Sequence, residues 1–214
     1  MDAIVFDWDG TLVDSLPAIN LANAEVLASY GIPFDFDAYR QAYSPDWQLM
    51  YARLGVPAGQ IDEAAGRWLD AYRRLIGTVQ VTDGALEALE RLAAAGLSMG
   101  LVTAGERGVV ESQLVSTGLG RYLPVRVCAG DLPVMKPHPA PLRKALAELG
   151  LEAVPERTAY VGDALDDMRM ARAVGALGVG ILSVLGDRAD LVAAGASEVA
   201  ESVAGWVDGF LDGQ

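Results

Sequence analysis

The stretch "FDWDGTLVDS", residues 6–15, follows the apolar residues "AIV" close to the start of the chain. It places Asp7 and Asp9 two positions apart, directly after a segment with the length of a buried strand. Carboxylates repel one another, so a pair of them at this place needs a reason. Gly10 follows at once and would let the backbone approach a ligand closely. The stretch therefore predicts a strand that ends in a functional loop.

Short apolar runs of the same kind recur later in the chain. Together with the first they give five predicted strands, at residues 3–8, 97–103, 125–129, 158–161 and 177–183. Segments with helical spacing of apolar residues lie between the later strands. Strand alternating with helix favours a parallel sheet that is covered on both faces. We therefore predict an α/β fold with a Rossmann-like, doubly wound parallel sheet as its core.

One long interval departs from this alternation. Residues 16–81 show helical patterning without a convincing strand, most clearly over residues 61–76, where apolar positions fall on one helix face. We predict an inserted small α-helical cap domain at 16–81 and an α/β catalytic core at 1–15 and 82–214. The insert holds nine of the fifteen aromatic residues of the chain, and we expect most of them to form its own core.

The composition narrows the range of partners and locations. The chain has 214 residues and a formal net charge of −13, with only 16 Lys and Arg residues in total. Nucleic-acid binding needs clustered basic side chains, so we expect no nucleic-acid partner. The sequence shows no export signal and no apolar run that could span a bilayer, so we expect no membrane association. The lone Cys128 suits a reducing compartment, and we expect a cytoplasmic protein of unknown oligomeric state.

Polar residues follow four of the predicted strands, which are otherwise apolar. They are Asp7 and Asp9 after the first strand, Thr103 after the second, Lys136 past the third, and Asp163, Asp166 and Asp167 after the fourth. In an open parallel sheet the carboxyl ends of the strands share one edge, and ligands bind where the winding reverses. These residues are therefore expected to converge although they are far apart in the sequence.

The chemistry of this set points to a metal and a phosphate. Several carboxylates beside one lysine are costly unless a cation compensates them, and such hard oxygen ligands suit Mg²⁺. The Lys136 ammonium, the Thr103 hydroxyl and backbone N–H groups of "TAGE", residues 103–106, would together grip a phosphate, since we expect a helix to begin there. Gly105 would let the backbone approach that ligand. The sequence therefore predicts phosphate chemistry with Mg²⁺ as the cofactor.

The motifs "DWDGT", Thr103, Lys136 and "GDALDD" are similar, in order and spacing, to the four signature motifs of the haloacid dehalogenase superfamily. The helical insert resembles the small cap of that family, and the resemblance covers essentially the whole chain. It implies that Asp7 is the nucleophile, which becomes an aspartyl phosphate. It also implies that Asp9 protonates the leaving alcohol and then activates the water that hydrolyses the intermediate.

The same resemblance implies the binding residues. The phosphoryl group would be held by Thr103, Ala104, Gly105 and Lys136. Mg²⁺ would be bound by Asp7, by the main-chain carbonyl of Asp9 and by Asp163, while Asp167 would orient the site without binding the ion directly. The chain departs from the family pattern at Ala104, where relatives often carry Asn, and at Asp166, which is an additional acid in the last motif.

The presence of Asp9 favours phosphate monoesters, because relatives that cleave carbon–halogen or carbon–phosphorus bonds lack an acid at that position. We predict a phosphoric monoester hydrolase that acts on a small phosphorylated metabolite, most similar to the phosphoglycolate phosphatase-like branch, with phosphoglycolate as one candidate substrate. Two alternatives stay open. A phosphosugar mutase of the same superfamily also keeps Asp7 and Asp9, and a phosphorylation-driven signalling receiver also groups acids, Thr and Lys at a sheet edge.

Overall fold

The computed structural model describes residues 1–213. In chain order the strands are β1 Ala3–Phe6, β2 Val13–Asp14, β3 Gln80–Val81, β4 Ser98–Glu106, β5 Val125–Ala129, β6 Thr158–Gly162, β7 Leu177–Ile181 and β8 Glu198–Ala200. One sheet has the order β5-β4-β1-β6-β7-β8, and its neighbouring strands are all parallel. The chain winds outward from β1 to β5 and returns to the other side of β1 with β6. This is the doubly wound, Rossmann-like arrangement, so the predicted fold class is confirmed.

The five predicted strands are all present, and their ends move by a few residues. The largest change is in the second, predicted at 97–103, which continues as β4 to Glu106. The sequence does not predict β8, because its three residues are partly polar and none is fully buried. It also does not predict β2 and β3, which are two residues each and too short for a periodicity to show.

The helices alternate with the later strands as the apolar spacing predicts. They are α1 Leu16–Ala28, α2 Phe36–Ala42, α3 Trp47–Leu54, α4 Ile61–Leu75, α5 Ala85–Ala94, α6 Arg107–Thr117, α7 Ala140–Glu148, α8 Leu165–Val174, α9 Arg188–Ala194 and α10 Val203–Asp212. Helices α6, α7 and α8 pack against the sheet, and every residue of the central strand β1 is fully buried. Burial of a Val, Ile or Phe side chain contributes about 1.5–3 kcal/mol, which explains the near-absence of polar residues within β1. Among residues 1–213, no helix is both long and apolar enough to cross a membrane.

Two compact units are present. One comprises Met1–Asp14 and the chain from Gln80 onward, and the other comprises Ser15–Val79. The sequence prediction placed Ser15 in the core, whereas the smaller unit begins at this residue. It assigned Gln80 and Val81 to the insert. In the structure they form β3, which pairs antiparallel with β2, so they belong to the larger unit.

The smaller unit is helical. Helix α1 packs against α4, which also packs against α3, while α2 packs against α3. The aromatic side chains of this unit contribute to its core less uniformly than the sequence suggests. Tyr39, Tyr51 and Tyr72 are buried, whereas Phe36 is 48% exposed and Trp47 is 37% exposed.

Candidate active site

The carboxyl ends of β1 and β6 lie side by side at the place where the winding of the sheet reverses. Asp7 directly follows β1, and its N–H donates to the carbonyl of Val161 in β6 at 2.8 Å. Asp163 directly follows β6. Open α/β sheets bind ligands at this reversal point, and both strands end there in a buried carboxylate.

Three carboxylates meet at this edge of the sheet. Each of Asp7, Asp163 and Asp167 offers an oxygen, and these oxygens all lie within 4.8 Å of one another. All three side chains are buried. Their mutual repulsion in a buried place requires positive charge nearby.

Lys136 supplies one such charge. Its ammonium Nζ lies 2.7 Å from Asp7 Oδ1 and 2.8 Å from Asp167 Oδ1, and the side chain is 3% exposed. Burial opposes the charged form, but the carboxylates of Asp167 and Asp7 outweigh it and hold the pKa of Lys136 well above its usual value. The structure therefore brings together the lysine and the two acids that the sequence placed after three different strands.

The pKa of the Asp7 carboxyl group is strongly perturbed. Its burial raises its pKa, Lys136 lowers the pKa, and Asp167 and Asp163 raise it further, so that it lies well above its usual value. A carboxylate at this place is therefore stabilised only when positive charge faces it.

The Asp167 side chain is fully engaged by protein donors. Its Oδ1 accepts from Lys136 and, at 3.1 Å, from the hydroxyl of Tyr160. Its Oδ2 accepts from the backbone N–H of Ala164 at 3.0 Å, at the first turn of α8. Both oxygens have donors, so the side chain orients Lys136 and the start of α8.

The Asp163 side chain is buried and only partly satisfied. Its Oδ1 lies at a long 3.5 Å from the Thr11 hydroxyl, and its Oδ2 has no hydrogen-bond partner within the described part of the chain. Burial and the charge of Asp167 raise the pKa of Asp163 to about 7, against the opposing effects of the Ser183 hydroxyl and Lys136. A buried carboxylate oxygen without a donor is expensive unless a cation occupies the space beside it.

Gly10 leaves that space open. A Cβ atom at this position would stand 2.5 Å from Asp163 Oδ2, and the backbone has φ = 78°, which favours glycine. Hard oxygen donors in an open cradle fit Mg²⁺. The carboxylate cluster consists of Asp7, Asp163 and Asp167. The prediction for Asp9 concerned its main-chain carbonyl, and the Asp9 carboxylate lies outside this cluster.

The Asp9 side chain faces the end of β4 instead. A Cβ atom built on Gly105 would stand 3.5 Å from Asp9 Oδ2 and 3.3 Å from the Thr103 hydroxyl oxygen. The two motif acids therefore lie in different surroundings, since Asp7 faces Lys136 and Asp9 lies beside Gly105 at the end of β4. Different surroundings are how one site assigns different tasks to two acids.

The segment around Thr103 differs from its prediction. The sequence suggested that a helix begins within "TAGE", but β4 runs through these residues and α6 begins at Arg107. Glu106 caps the helix by accepting from the N–H of Val109 at 2.9 Å. The N–H of Gly105 donates to the Thr103 hydroxyl oxygen at 2.9 Å, so it is directed toward the side chain rather than outward. Thr103 is buried, and its hydroxyl proton stays available to an acceptor.

The loop after β5 carries Lys136 and is tied to α6. The Nε of Arg107 donates to Asp131 Oδ1 at 3.1 Å, and a second guanidinium nitrogen pairs with Asp131 Oδ2. The same Oδ2 accepts from the N–H of Cys128 at 2.9 Å. Burial raises the pKa of the Cys128 thiol to about 11, which leaves it a neutral core side chain.

Two acidic or basic residues near the motifs stay outside the cluster. Asp166 pairs with the exposed Arg169 at 2.7 Å and is not part of the acidic group. His138 is exposed, and its Nδ1 accepts from the N–H of Ala140 at the start of α7.

The sequence reasoning missed several residues that hold the site together. They are Trp8, Gln113, Tyr160, Arg107, Asp131 and Ser183. Tyr160 carried a signal, because it is the one residue of the apolar strand β6 with a large side chain and a hydroxyl group. Nothing in the sequence pointed to Gln113, because a glutamine on a helix is ordinarily a solvated residue.

A model of the family described as haloacid dehalogenase-like hydrolase matches residues 1–175. The chain belongs to this family. It is 33% identical over 199 residues to a phosphoglycolate phosphatase of Synechococcus elongatus, which covers 91% of this chain and 90% of the relative. It is 29% identical over 180 residues to an N-acetylmuramic acid 6-phosphate phosphatase of Pseudomonas aeruginosa, with 82% and 79% covered. The crystal structure of a hydrolase from Pseudomonas syringae has a TM-score of 0.85 and 26% identity, and covers 99% of both chains.

These relationships confirm that the chain is a phosphatase of the haloacid dehalogenase family, as predicted. They also confirm the predicted fold. They do not support the mutase or the signalling receiver better than the phosphatase.

Gly10→Ala is expected to remove activity in this family member while the chain still folds. The added methyl group would occupy the space beside Asp163 Oδ2, so metal binding and phosphate release should both fall on the order of 10²-fold. Gly96→Ala is the matched control, because Gly96 has φ = 79° and nothing within 4 Å of its added Cβ. Both variants should lose at least about 1 kcal/mol in the free energy of unfolding, because the positive φ at both positions disfavours alanine. Equal activity in the two variants would contradict the proposal that the space between Gly10 and Asp163 holds a metal ion.

Proposed function

We propose that the chain hydrolyses small phosphate monoesters through a covalent intermediate on Asp7. The observation that carries this proposal is the buried contact of Asp7 with Lys136, beside Asp163 and Asp167. A buried carboxylate that faces a lysine is held ready as a nucleophile, because the positive charge compensates the negative charge of the phosphoryl group it attacks.

In the first step the Asp7 carboxylate attacks phosphorus and the bond to the leaving oxygen breaks. Asp9 gives its proton to that oxygen, so the alcohol leaves neutral. In the second step Asp9, now a carboxylate, takes a proton from water, and the water oxygen attacks the phosphorus of the aspartyl phosphate. Inorganic phosphate leaves and the Asp7 carboxylate is restored. The separate surroundings of Asp7 and Asp9 support this division of tasks.

Thr103 and Lys136 are proposed to hold the phosphoryl oxygens. Thr103 is buried, and its oxygen already accepts from Gly105, so its hydroxyl proton is free to point at a phosphate oxygen. Ala104 and Gly105 would bring the backbone of β4 close to the same oxygens. Asp167 would orient Lys136 through the 2.8 Å contact.

Mg²⁺ is the proposed cofactor. Asp7, Asp163 and the main-chain carbonyl of Asp9 would hold it, and the orphaned Oδ2 of Asp163 beside Gly10 supports that choice. When bound, the ion would neutralise negative charge on the phosphoryl group and on the acids around it.

The proposed substrate is a small cytoplasmic metabolite with a phosphate ester. Relatives of similar identity are named for phosphoglycolate and for N-acetylmuramic acid 6-phosphate, so both compounds are candidates. The helical unit Ser15–Val79 is proposed to act as the cap of this family, which excludes water and selects among substrates.

Phosphate release from a panel of esters tests the proposal. The panel contains phosphoglycolate, N-acetylmuramic acid 6-phosphate, sugar phosphates and nucleoside monophosphates, each with Mg²⁺ and with a chelator. We expect inorganic phosphate from at least one ester, and loss of that release with the chelator. A rearranged sugar phosphate without inorganic phosphate would indicate a mutase, and no product from any ester with a folded protein would contradict the proposal.

A further inference from the structure

A buried hydrogen bond joins the residue between the two motif acids to helix α6. The indole Nε1 of Trp8 donates to Gln113 Oε1 at 2.8 Å, across 105 positions of the sequence. Trp8 is fully buried and Gln113 is 1% exposed. A buried indole N–H needs an acceptor, so this bond fixes the orientation of the Trp8 ring.

Trp8 is also the centre of the turn that carries Asp9. Its carbonyl accepts from the N–H groups of Thr11, Leu12 and Val13 at 3.3, 3.0 and 3.1 Å. Trp8 immediately precedes Asp9 in this turn, so a fixed Trp8 ring restricts the directions in which the Asp9 side chain can point.

Helix α6 contacts the end of β4 with the same face. Val110 lies three residues before Gln113, so the two side chains are neighbours on the helix surface. A Cβ atom on Gly105 would stand 2.7 Å from Val110 Cγ2 and 3.5 Å from Asp9 Oδ2. Gly105 therefore lies close to both α6 and Asp9. One helix face therefore touches both the Trp8 ring and the segment opposite Asp9.

We propose that Gln113 is a positioning residue for Asp9. Through the Trp8 indole it holds the Asp9 carboxyl group in the orientation from which a proton reaches the leaving oxygen. Gln113 itself does not touch the reacting atoms. The inference rests on the proposed role of Asp9 as the acid. Misplacement of a catalytic group by about 1 Å costs on the order of 10²-fold in rate. Loss of the single hydrogen bond between Gln113 and Trp8 is therefore sufficient for a large effect.

Dependence on the leaving group provides the test. An alkyl phosphate needs a proton on its leaving oxygen, whereas 4-nitrophenyl phosphate leaves as a stable phenolate. Gln113→Met and Trp8→Phe should each lower kcat/KM for the alkyl ester by about 10- to 100-fold, and for the nitrophenyl ester by about threefold or less. This quantity reports the steps up to departure of the leaving group, so it excludes the later step in which Asp9 acts as the base for both esters. The double variant should be no slower than the slower single variant, because both substitutions remove the same bond. Losses that add, or equal losses on the two esters, would overturn the inference.

Three further variants separate positioning from general loss of structure. Gln113→Glu keeps an acceptor for the indole and should retain the wild-type ratio of the two rates. Val109→Ala removes a buried side chain from α6 without touching that bond, and should affect both esters equally. Asp9→Asn should show the same dependence on the leaving group as Gln113→Met. If Asp9→Asn lacks that dependence, the proposed function is wrong at this step. If only Gln113→Met lacks it, the positioning inference alone is wrong.

Discussion

Asp7→Asn is expected to abolish phosphate release and leave the fold intact. An amide is not a nucleophile toward phosphorus, so kcat should fall by at least about 10⁴-fold. Volume is nearly unchanged, and Lys136 keeps its 2.8 Å contact with Asp167. Burial, Asp167 and Asp163 raise the pKa of Asp7 above that of the unfolded chain, which means that its ionised form destabilises the fold at neutral pH. In the presence of a chelator, the melting temperature should therefore stay the same or rise.

Asp166→Asn is the matched control for that variant. It is the same substitution in the motif "GDALDD", but Asp166 pairs with Arg169, which is 51% exposed, and lies outside the acidic cluster. Release of phosphate should stay within about twofold of wild type, since exposed ion pairs contribute little. Turnover that persists in Asp7→Asn, or an equal loss in Asp166→Asn, would contradict the assignment of the nucleophile.

The fold was predictable because the central strands β1 and β6 are buried on both faces. Strand β1 is entirely buried, so its sequence is an uninterrupted apolar run. The prediction at 3–8 extended two residues beyond its observed end at Phe6, which Asp7 follows. The same logic predicted β6 and Asp163 behind it. Parallel strands end at one sheet edge, which is why acids that follow different strands could be expected to meet.

The details around Thr103 were not predictable from local sequence. Thr103 is of a residue type preferred at helix N-caps and Glu106 is not, so the local sequence favours a helix start that the structure does not have. In the structure β4 extends to Glu106, and the Thr103 hydroxyl accepts from Gly105 instead. The choice depends on pairing with β5, whose Ala129 lies opposite Glu106.

The residues that hold the catalytic side chains in place could not be predicted either, for a related reason. The hydroxyl of Tyr160 bonds Asp167 and the carbonyl of Val102, which is 58 positions away, and Gln113 bonds Trp8 across 105 positions. Periodicity identifies which positions are buried but not which polar atoms meet after folding. Such bonds become visible only when the sheet order is known.

Lys136→Met is expected to impair both activity and stability. The substitution leaves Asp7 and Asp167 buried without the ammonium that lies 2.7 and 2.8 Å from them. Leaving buried charge without its partner costs about 3–5 kcal/mol in the free energy of unfolding. Because the same ammonium is proposed to hold the phosphoryl group, kcat should fall by about 10²- to 10³-fold. Lys144→Met is the control, since Lys144 pairs with Glu148 on the surface and its removal should change neither quantity.

The loss of stability in Lys136→Met should depend on pH in a defined direction. Lys136 lowers the pKa of Asp7, so its removal moves the folded pKa further above the ordinary value of 3.8. A carboxyl group with a raised folded pKa destabilises the fold fully above that pKa, and the effect disappears as pH falls toward the unfolded value. Urea unfolding in the presence of a chelator should therefore show the largest difference from wild type in the free energy of unfolding at about pH 8. The difference should be smaller at about pH 5. A difference that is constant or grows on acidification would show that the ammonium does not compensate Asp7 and Asp167.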